Sequence, residues 1–179
     1  ERRGIVEETF KICDAIDVTT PYLKELYLKY CKKVEVLPNS LDIEIIDVTP
    51  PATSFGVFDK KGQRLTPEAL AEMRVGKKMI FWGGSPTHEK DLEVILGAVR
   101  RISRSENVIF GFMGYTHRIL METIPLGKLV LFGLVPNMQY FSMYKALSPE
   151  IGMAPVCDVP FNYGKSNLRS LEHGVFYVN

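Results

Sequence analysis

The chain has 179 residues, enough for one domain or one and a fraction with a real core. Hydrophobic residues make up 46%, charged residues 24%, and the formal charge is +1. That is an ordinary globular mix without the broad basic face that nucleic acid requires. No apolar run reaches membrane-spanning length and no signal-type segment opens the chain, which leaves only peripheral membrane contact open. Cys13, Cys31 and Cys157 lack metal-ligand spacing and read as reduced thiols of a cytoplasmic protein.

Residues 1 to 12 read as a helix that begins in mid-pattern, followed by the partly apolar stretch Cys13 to Val18. Thr19-Thr20-Pro21 is a helix start, a hydroxyl cap followed by a residue whose missing N–H costs nothing there. The helix it opens carries Leu23, Leu26, Tyr27 and Tyr30 at helical spacing, and Lys32 to Asn39 reads as a strand closed by a turn. Residues 46 to 76 change character: Asp47-Val-Thr-Pro-Pro51 cannot continue a helix, and Asp59-Lys-Lys-Gly62 is a turn. Thr66-Pro67-Glu68 opens a short helix that Gly76 ends.

From Lys77 the pattern becomes regular. Met79 to Trp82 is an apolar run ending in Gly83-Gly84, after which Ser85-Pro86-Thr87 caps a helix with Glu89 and Asp91 in its first turn. Leu92, Ile95, Leu96, Val99 and Ile102 form one stripe on that helix. A second run, Val108 to Met113, ends at Gly114, and a short helix follows Thr116. A third, Leu129 to Phe132, precedes a helix capped by Asn137 and carrying Met138, Phe141 and Tyr144. Ile151 to Val156 reads as a buried fourth strand and Val175 to Val178 as a fifth. Apolar strands alternating with amphipathic helices mean α/β, a doubly wound parallel (Rossmann-like) sheet. A partial α/β unit precedes it. The expected division is 1–45, the tail of an amino-terminal domain; 46–76, a connector; and 77–179, a ligand-binding Rossmann-like domain truncated at its end. The whole reads as a piece of a longer protein, or one reduced from it.

Two stretches carry chemistry. Gly83-Gly84-Ser85-Pro86-Thr87-His88 puts glycines at a strand-to-helix turn, where a ligand can approach the backbone, and a tight turn is the plain alternative. It is neither a dinucleotide fingerprint, which argues against an oxidoreductase, nor a Walker loop. His88 suits a proton carrier or phosphate donor, or a solvated first-turn histidine. His117 and His173 have no partner at metal-binding spacing, and serine-elbow and zinc motifs are missing, so the metal set is empty. In the second stretch, Asp158 to Glu172, the residues Asn162, Gly164, Lys165 and Ser166 stand between a strand and a helix read from Lys165 to Glu172, with Leu168 and Leu171 on one face. Lysine there meets phosphate, and Glu172, two helical turns on, accepts from a ribose; a solvated turn and surface pair fits the spacing equally.

Taken together these residues resemble the carboxyl-terminal, nucleotide-sugar-binding half of the GT-B retaining glycosyltransferases, the "group 1" family. The resemblance runs through Phe81-Trp-Gly-Gly-Ser-Pro-Thr-His-Glu-Lys-Asp91 and Ile109-Phe-Gly-Phe-Met-Gly114, and is most specific in Phe161-Asn162, Lys165-Ser166 and Leu171-Glu172. Residues 14 to 42 look like the end of the family's amino-terminal domain. The resemblance implies a GT-B-like carboxyl-terminal half that binds a nucleotide-diphosphate sugar as donor substrate, without cofactor or metal. Carried over by position, Lys165 contacts the diphosphate, Glu172 the ribose, and Gly83 and Gly84 the phosphate side; His88, Gly114, Asn162 and Ser166 complete the implied donor site. The family's upstream glutamate falls on Gly164. The complete enzyme would transfer the sugar to an acceptor hydroxyl with retention, the acceptor being unspecified. The alternative is a non-catalytic nucleotide-binding or scaffold module derived from such an enzyme.

Overall fold

The computed structural model describes residues 2–53 and 55–177. In chain order the elements are α1 (Arg2–Lys11), β1 (Ile16–Val18), α2 (Pro21–Tyr27), β2 (Val34–Val36), α3 (Ile43–Val48), β3 (Val57–Asp59), α4 (Pro67–Arg74) and β4 (Lys78–Gly84). A 3-10 turn, Pro86–His88, leads to α5 (Glu89–Glu93), α6 (Leu96–Ile102), β5 (Val108–Gly114), α7 (Arg118–Thr123) and β6 (Leu129–Phe132). Then come α8 (Asn137–Leu147), β7 (Ile151–Gly152), α9 (Pro160–Tyr163) and α10 (Leu168–Tyr177). Two compact units divide them, Glu1–Leu41 with Asp158–Leu171, and Asp42–Cys157 with Glu172–Asn179.

The first unit is a β-α-β element whose two strands pair in parallel, Ile16 opposite Val34 and Val18 opposite Val36. Thr20 caps α2 as its spacing predicts, accepting from the Leu23 N–H at 3.3 Å. Ile16, Val18, Cys31 and Val34 are buried together against Leu23 and Tyr27 from α2 and Phe10 from α1.

In the second unit, five strands among the described residues form one sheet in the order β3-β6-β5-β4-β7. Every neighbouring pair is parallel except β3 with β6. Successive strand residues point to opposite faces, so the apolar runs feed two cores. Met79, Phe81, Ile109, Met113, Val130 and Phe132 face Leu70 of α4 and Met143, Tyr144 and Leu147 of α8. Ile80, Trp82, Phe110, Phe112 and Leu129 face Leu92, Val99, Leu120 and Ile124 from α5, α6 and α7. The unit is therefore an α/β sheet, mostly parallel and covered on both faces.

Several elements differ from the sequence expectation. β3, from the stretch read as a connector, pairs antiparallel with β6 at the sheet edge. The run 151–156 forms only two strand residues, with Ile151 and Val156 exposed, because it is an edge strand and Pro155 has no N–H for a ladder. Residues 175–177 are helical rather than a strand, since Phe176 stacks on Tyr144 with ring centroids 4.5 Å apart; Val178 lies outside the described residues. Ser85 precedes a 3-10 turn and makes no side-chain capping bond; its hydroxyl pairs with that of Thr87 at 2.7 Å. The long helix expected after it is two short ones, α5 and α6. Asn137 is the first residue of α8 rather than its cap, and the side chains of Asn137 and Met138 are outside the described set.

Thr66 caps α4 through the Ala69 N–H at 3.2 Å, and its neighbour Glu68 gives a testable consequence. Hydrogen bonds from its own backbone N–H and from the Thr66 hydroxyl hold the Glu68 carboxyl below the usual carboxylate range. A depressed folded value adds stability above the unfolded pKa of about 4.3, lost as pH falls through the folded value. Glu68→Gln should therefore flatten the loss of stability on acidification below that point, as read by urea unfolding along a pH series; an identical profile would contradict it.

Candidate functional site

The strand order changes direction at β4: the chain runs outward through β5 and β6, then returns to place β7 on the other side of β4. Loops that leave the carboxyl ends of such strands part in opposite directions and open a crevice. The glycines singled out in the sequence sit at those ends. Gly83 and Gly84 close β4, and Gly114 closes β5 directly opposite Gly84. Packing also accounts for them. A Cβ on Gly84 would lie 2.6 Å from the Trp82 ring and one on Gly83 2.8 Å from Met113 Cε. At Gly114, φ is +81° and a Cβ would lie 2.5 Å from the Gly84 carbonyl oxygen. That same oxygen accepts from the Tyr115 N–H at 2.9 Å, so the two strand ends are stitched together.

The turn that follows β4 brings His88 to Asp91. His88 Nδ1 lies 2.8 Å from Asp91 Oδ2, and Asp91 Oδ1 accepts from the Cys157 N–H, beyond β7, at 2.9 Å. Asp91 is only 2% exposed, so its carboxylate is a buried tie between the segments that leave β4 and β7. Because a 3-10 turn and a five-residue helix follow β4, the expected long-helix dipole behind the glycine loop is not available there. Close by, the Tyr115 hydroxyl donates to Glu89 at 2.9 Å, and this bond raises the Tyr115 pKa above the usual tyrosine range. Buried His117 accepts from the Ile119 N–H at Nδ1, 3.1 Å, capping α7, and sets Nε2 3.8 Å from both Glu89 and Glu93.

Glu172 lies in α10 of this unit, half-buried, with the Tyr140 hydroxyl donating to its Oε2 at 3.4 Å. Its neighbour His173 is buried against β7. Nε2 donates to the Met153 carbonyl at 3.1 Å, which leaves Nδ1 to accept from the Tyr144 hydroxyl at 2.5 Å. A Cβ on Gly152 would lie 2.2 Å from that imidazole, so glycine is what lets the ring lie against the strand.

Asn162, Lys165 and Ser166 belong to the first unit. Asn162 is buried in α9, and the Lys165 N–H donates to its carbonyl at 3.1 Å. Lys165 Nζ stands 5.4 Å from the centre of the exposed Phe161 ring, a cation–π distance. Ser166 Oγ accepts from Asn39 at 2.7 Å. Lys165 precedes α10, which begins at Leu168, so it does not share a helix face with Glu172; α9, started by Pro160, takes up the preceding residues. At Gly164 a Cβ would come within 2.8 Å of Leu23 Cδ2.

Sequence reasoning placed Asp91 only as a first-turn acid. Its three-residue spacing from His88 was the available signal, since such positions are neighbours on a helical turn. The pairs Tyr140–Glu172 and Tyr144–His173 carried no local signal. Among the described residues no group of three or more His, Cys, Asp or Glu side chains could hold a metal ion, and no helix is long and apolar enough to cross a membrane.

No family model and no curated protein matches the chain. Among solved structures, the crystal structure of TarM aligns over 98% of this chain with a TM-score of 0.47 and 9% sequence identity. The chain spans 38% of that protein's length. A likeness of that degree leaves function to be argued from the residues.

Proposed function

We propose that the protein binds a nucleotide-diphosphate sugar, as the donor-binding half of a GT-B-type retaining glycosyltransferase. The observation that carries this reading is the reversal of strand order at β4, with Gly83, Gly84 and Gly114 gathered at the carboxyl ends of β4 and β5. In this reading those glycines and His88 line the ligand side of the second unit, and Glu172 accepts from the ribose hydroxyls. For the first unit, taken by itself, the reading assigns Lys165, with Asn162 and Ser166, to contact with a phosphate-bearing ligand. A lysine and backbone N–H groups neutralise the charge that develops on a departing diphosphate, so sugar transfer needs no metal on this scheme. The second reading, binding without transfer, draws support from Gly164. It stands where the family's upstream glutamate falls, and a side chain there would press on Leu23.

The test is a thermal-shift titration with UDP, GDP and ADP, with and without attached sugars. Saturation at about 100 times the dissociation constant adds roughly 2.7 kcal/mol, a melting shift on the order of 5 to 10 °C for a chain of this size. A shift with one diphosphate supports a donor site and names its base; no shift with any overturns the reading. Turnover assays then separate transfer from binding. Lys165→Ala should weaken nucleoside diphosphate binding roughly tenfold or more and leave nucleoside binding unchanged, because only the diphosphate presents the charge. Glu172→Gln should weaken ribonucleotides by about tenfold while 2′-deoxy analogues lose less. Equal losses across each pair would count against both assignments.

A further inference from the structure

We infer that the second unit docks on anionic lipid membranes through a cationic surface at the amino-terminal ends of β4, β5 and β6. Gly83 and Gly84 close β4 at its other end, so this surface lies away from the ligand side proposed above and stands independently of that reading.

The formal charge of +1 conceals an uneven distribution. Arg100, Arg101 and Arg104 are exposed in and just beyond the last turn of α6, and Glu106 is the one carboxylate of the segment leading to β5. Lys128, just before β6, holds that segment in place. Its ammonium donates to the carbonyls of Ser103 at 3.1 Å and Ser105 at 2.7 Å. The negative end of the helix is thereby satisfied by a lysine from elsewhere, and the arginines are not taken up by it. Among the described residues no carboxylate pairs with their guanidinium groups, which repel one another at such close spacing. An anion brought from outside relieves that repulsion.

The same end of the sheet carries further cations. Lys78 is exposed at the start of β4, beside Val108 at the start of β5. Because β3 runs antiparallel to β6, the turn after it, with exposed Lys61, returns to this end as well. Lys60 donates to the Ile124 carbonyl at 2.6 Å and ties that turn to the loop bearing Leu126. Cations alone would suit any polyanion; the apolar side chains among them decide the partner. Ile102 stands between the arginines at 37% exposure, and Leu126, two residues before Lys128, is 57% exposed. A nucleic-acid backbone offers these side chains nothing. A bilayer shows phosphates and carboxylates to the cations and takes leucine and isoleucine into the acyl boundary beneath them.

Vesicle flotation of the chain tests this. Vesicles of phosphatidylserine and phosphatidylcholine in equal parts should carry the protein at low salt. Phosphatidylcholine alone should not, and added salt should release the protein. Replacing Arg100, Arg101 and Arg104 together by glutamine should lower the affinity on the order of a hundredfold. The control replaces Lys29, Lys32 and Lys33 by glutamine, which removes the same charge from exposed positions of the first unit. It should change affinity by less than about threefold, because charges far from the surface are screened. Leu126→Ser should cost about tenfold and leave the salt dependence unchanged. Equal losses in the two triple variants would reduce the effect to net charge and overturn the surface. Unchanged affinity in Leu126→Ser, or binding to duplex DNA with none to vesicles, overturns the lipid assignment. Failure to bind phosphatidylserine vesicles overturns the inference as a whole, while the nucleotide titration decides the donor reading by itself.

Discussion

Gly114→Ala should lower the stability of the protein by about 3 kcal/mol, the sum of backbone strain and overpacking. Gly114 has φ +81°, in the region where a side chain crowds its own carbonyl. The added methyl would also lie 2.5 Å from the Gly84 carbonyl oxygen and 2.9 Å from Leu134 Cδ2. Gly84 cannot retreat without cost, because its carbonyl accepts from the Tyr115 N–H and the residue is in register with Gly114 across the β4–β5 pair. Gly62 is the internal control. It has the same φ of +81° but nothing within 4 Å of its Cβ position, so Gly62→Ala meets strain alone and should cost about 1 kcal/mol. Urea unfolding of the two variants measures the difference. Equal losses would mean that the close approach of β5 to Gly84 contributes nothing. If the carboxyl ends of these strands do receive a ligand, Gly114→Ala should also weaken nucleotide binding while Gly62→Ala leaves it unchanged.

Lys145→Met should cost about 2 to 3 kcal/mol, through loss of charged hydrogen bonds. Lys145 projects from α8 and its ammonium donates to the carbonyls of Ile46, of Asp47 at 3.0 Å and of Thr49 at 2.8 Å. Three ammonium protons meet three oxygens at the end of α3, where a helix leaves its last carbonyls unpaired and carries partial negative charge. Methionine keeps the apolar stem and removes only the charge and the donors. The same device recurs at the end of α8, where Arg74 donates to the carbonyls of Leu147 and, at 2.9 Å, Ser148, and pairs with Glu150. Hydrogen exchange should show the α3 amides opening in Lys145→Met before the sheet amides do. A variant within about 0.5 kcal/mol of the parent, the range of ordinary surface substitutions, would refute the clip.

Chain-local features were legible in the sequence. Thr20-Pro21 and Thr66-Pro67 marked helix starts that the structure keeps, because a cap is made between residues three apart. The apolar runs of β4, β5 and β6 announced strands buried on both faces, and with them the α/β class. Gly76 and Gly62 were recognisable as a helix stop and a turn, and both have positive φ. Short apolar runs were harder. Residues 175–177 fit a strand or a helix by periodicity alone, and the stacking of Phe176 on Tyr144, distant in sequence, selects the helix. β3 has three residues and exists through its pairing with β6.

By itself, then, the sequence determined where most elements begin, which faces are apolar and that a mostly parallel sheet results, since those depend on residues within a turn or a few positions of each other. Tertiary structure alone decided the strand order that makes β4 the point of reversal, the tie from Asp91 to His88 and Cys157, the contacts of Tyr140 and Tyr144 with Glu172 and His173, and the start of α10 beyond Lys165. Each of these, the last excepted, joins groups on different elements or turns, and hydrogen-bond geometry between them follows only once packing has set the distances. Even the start of α10 depended on how α9 used the residues before it.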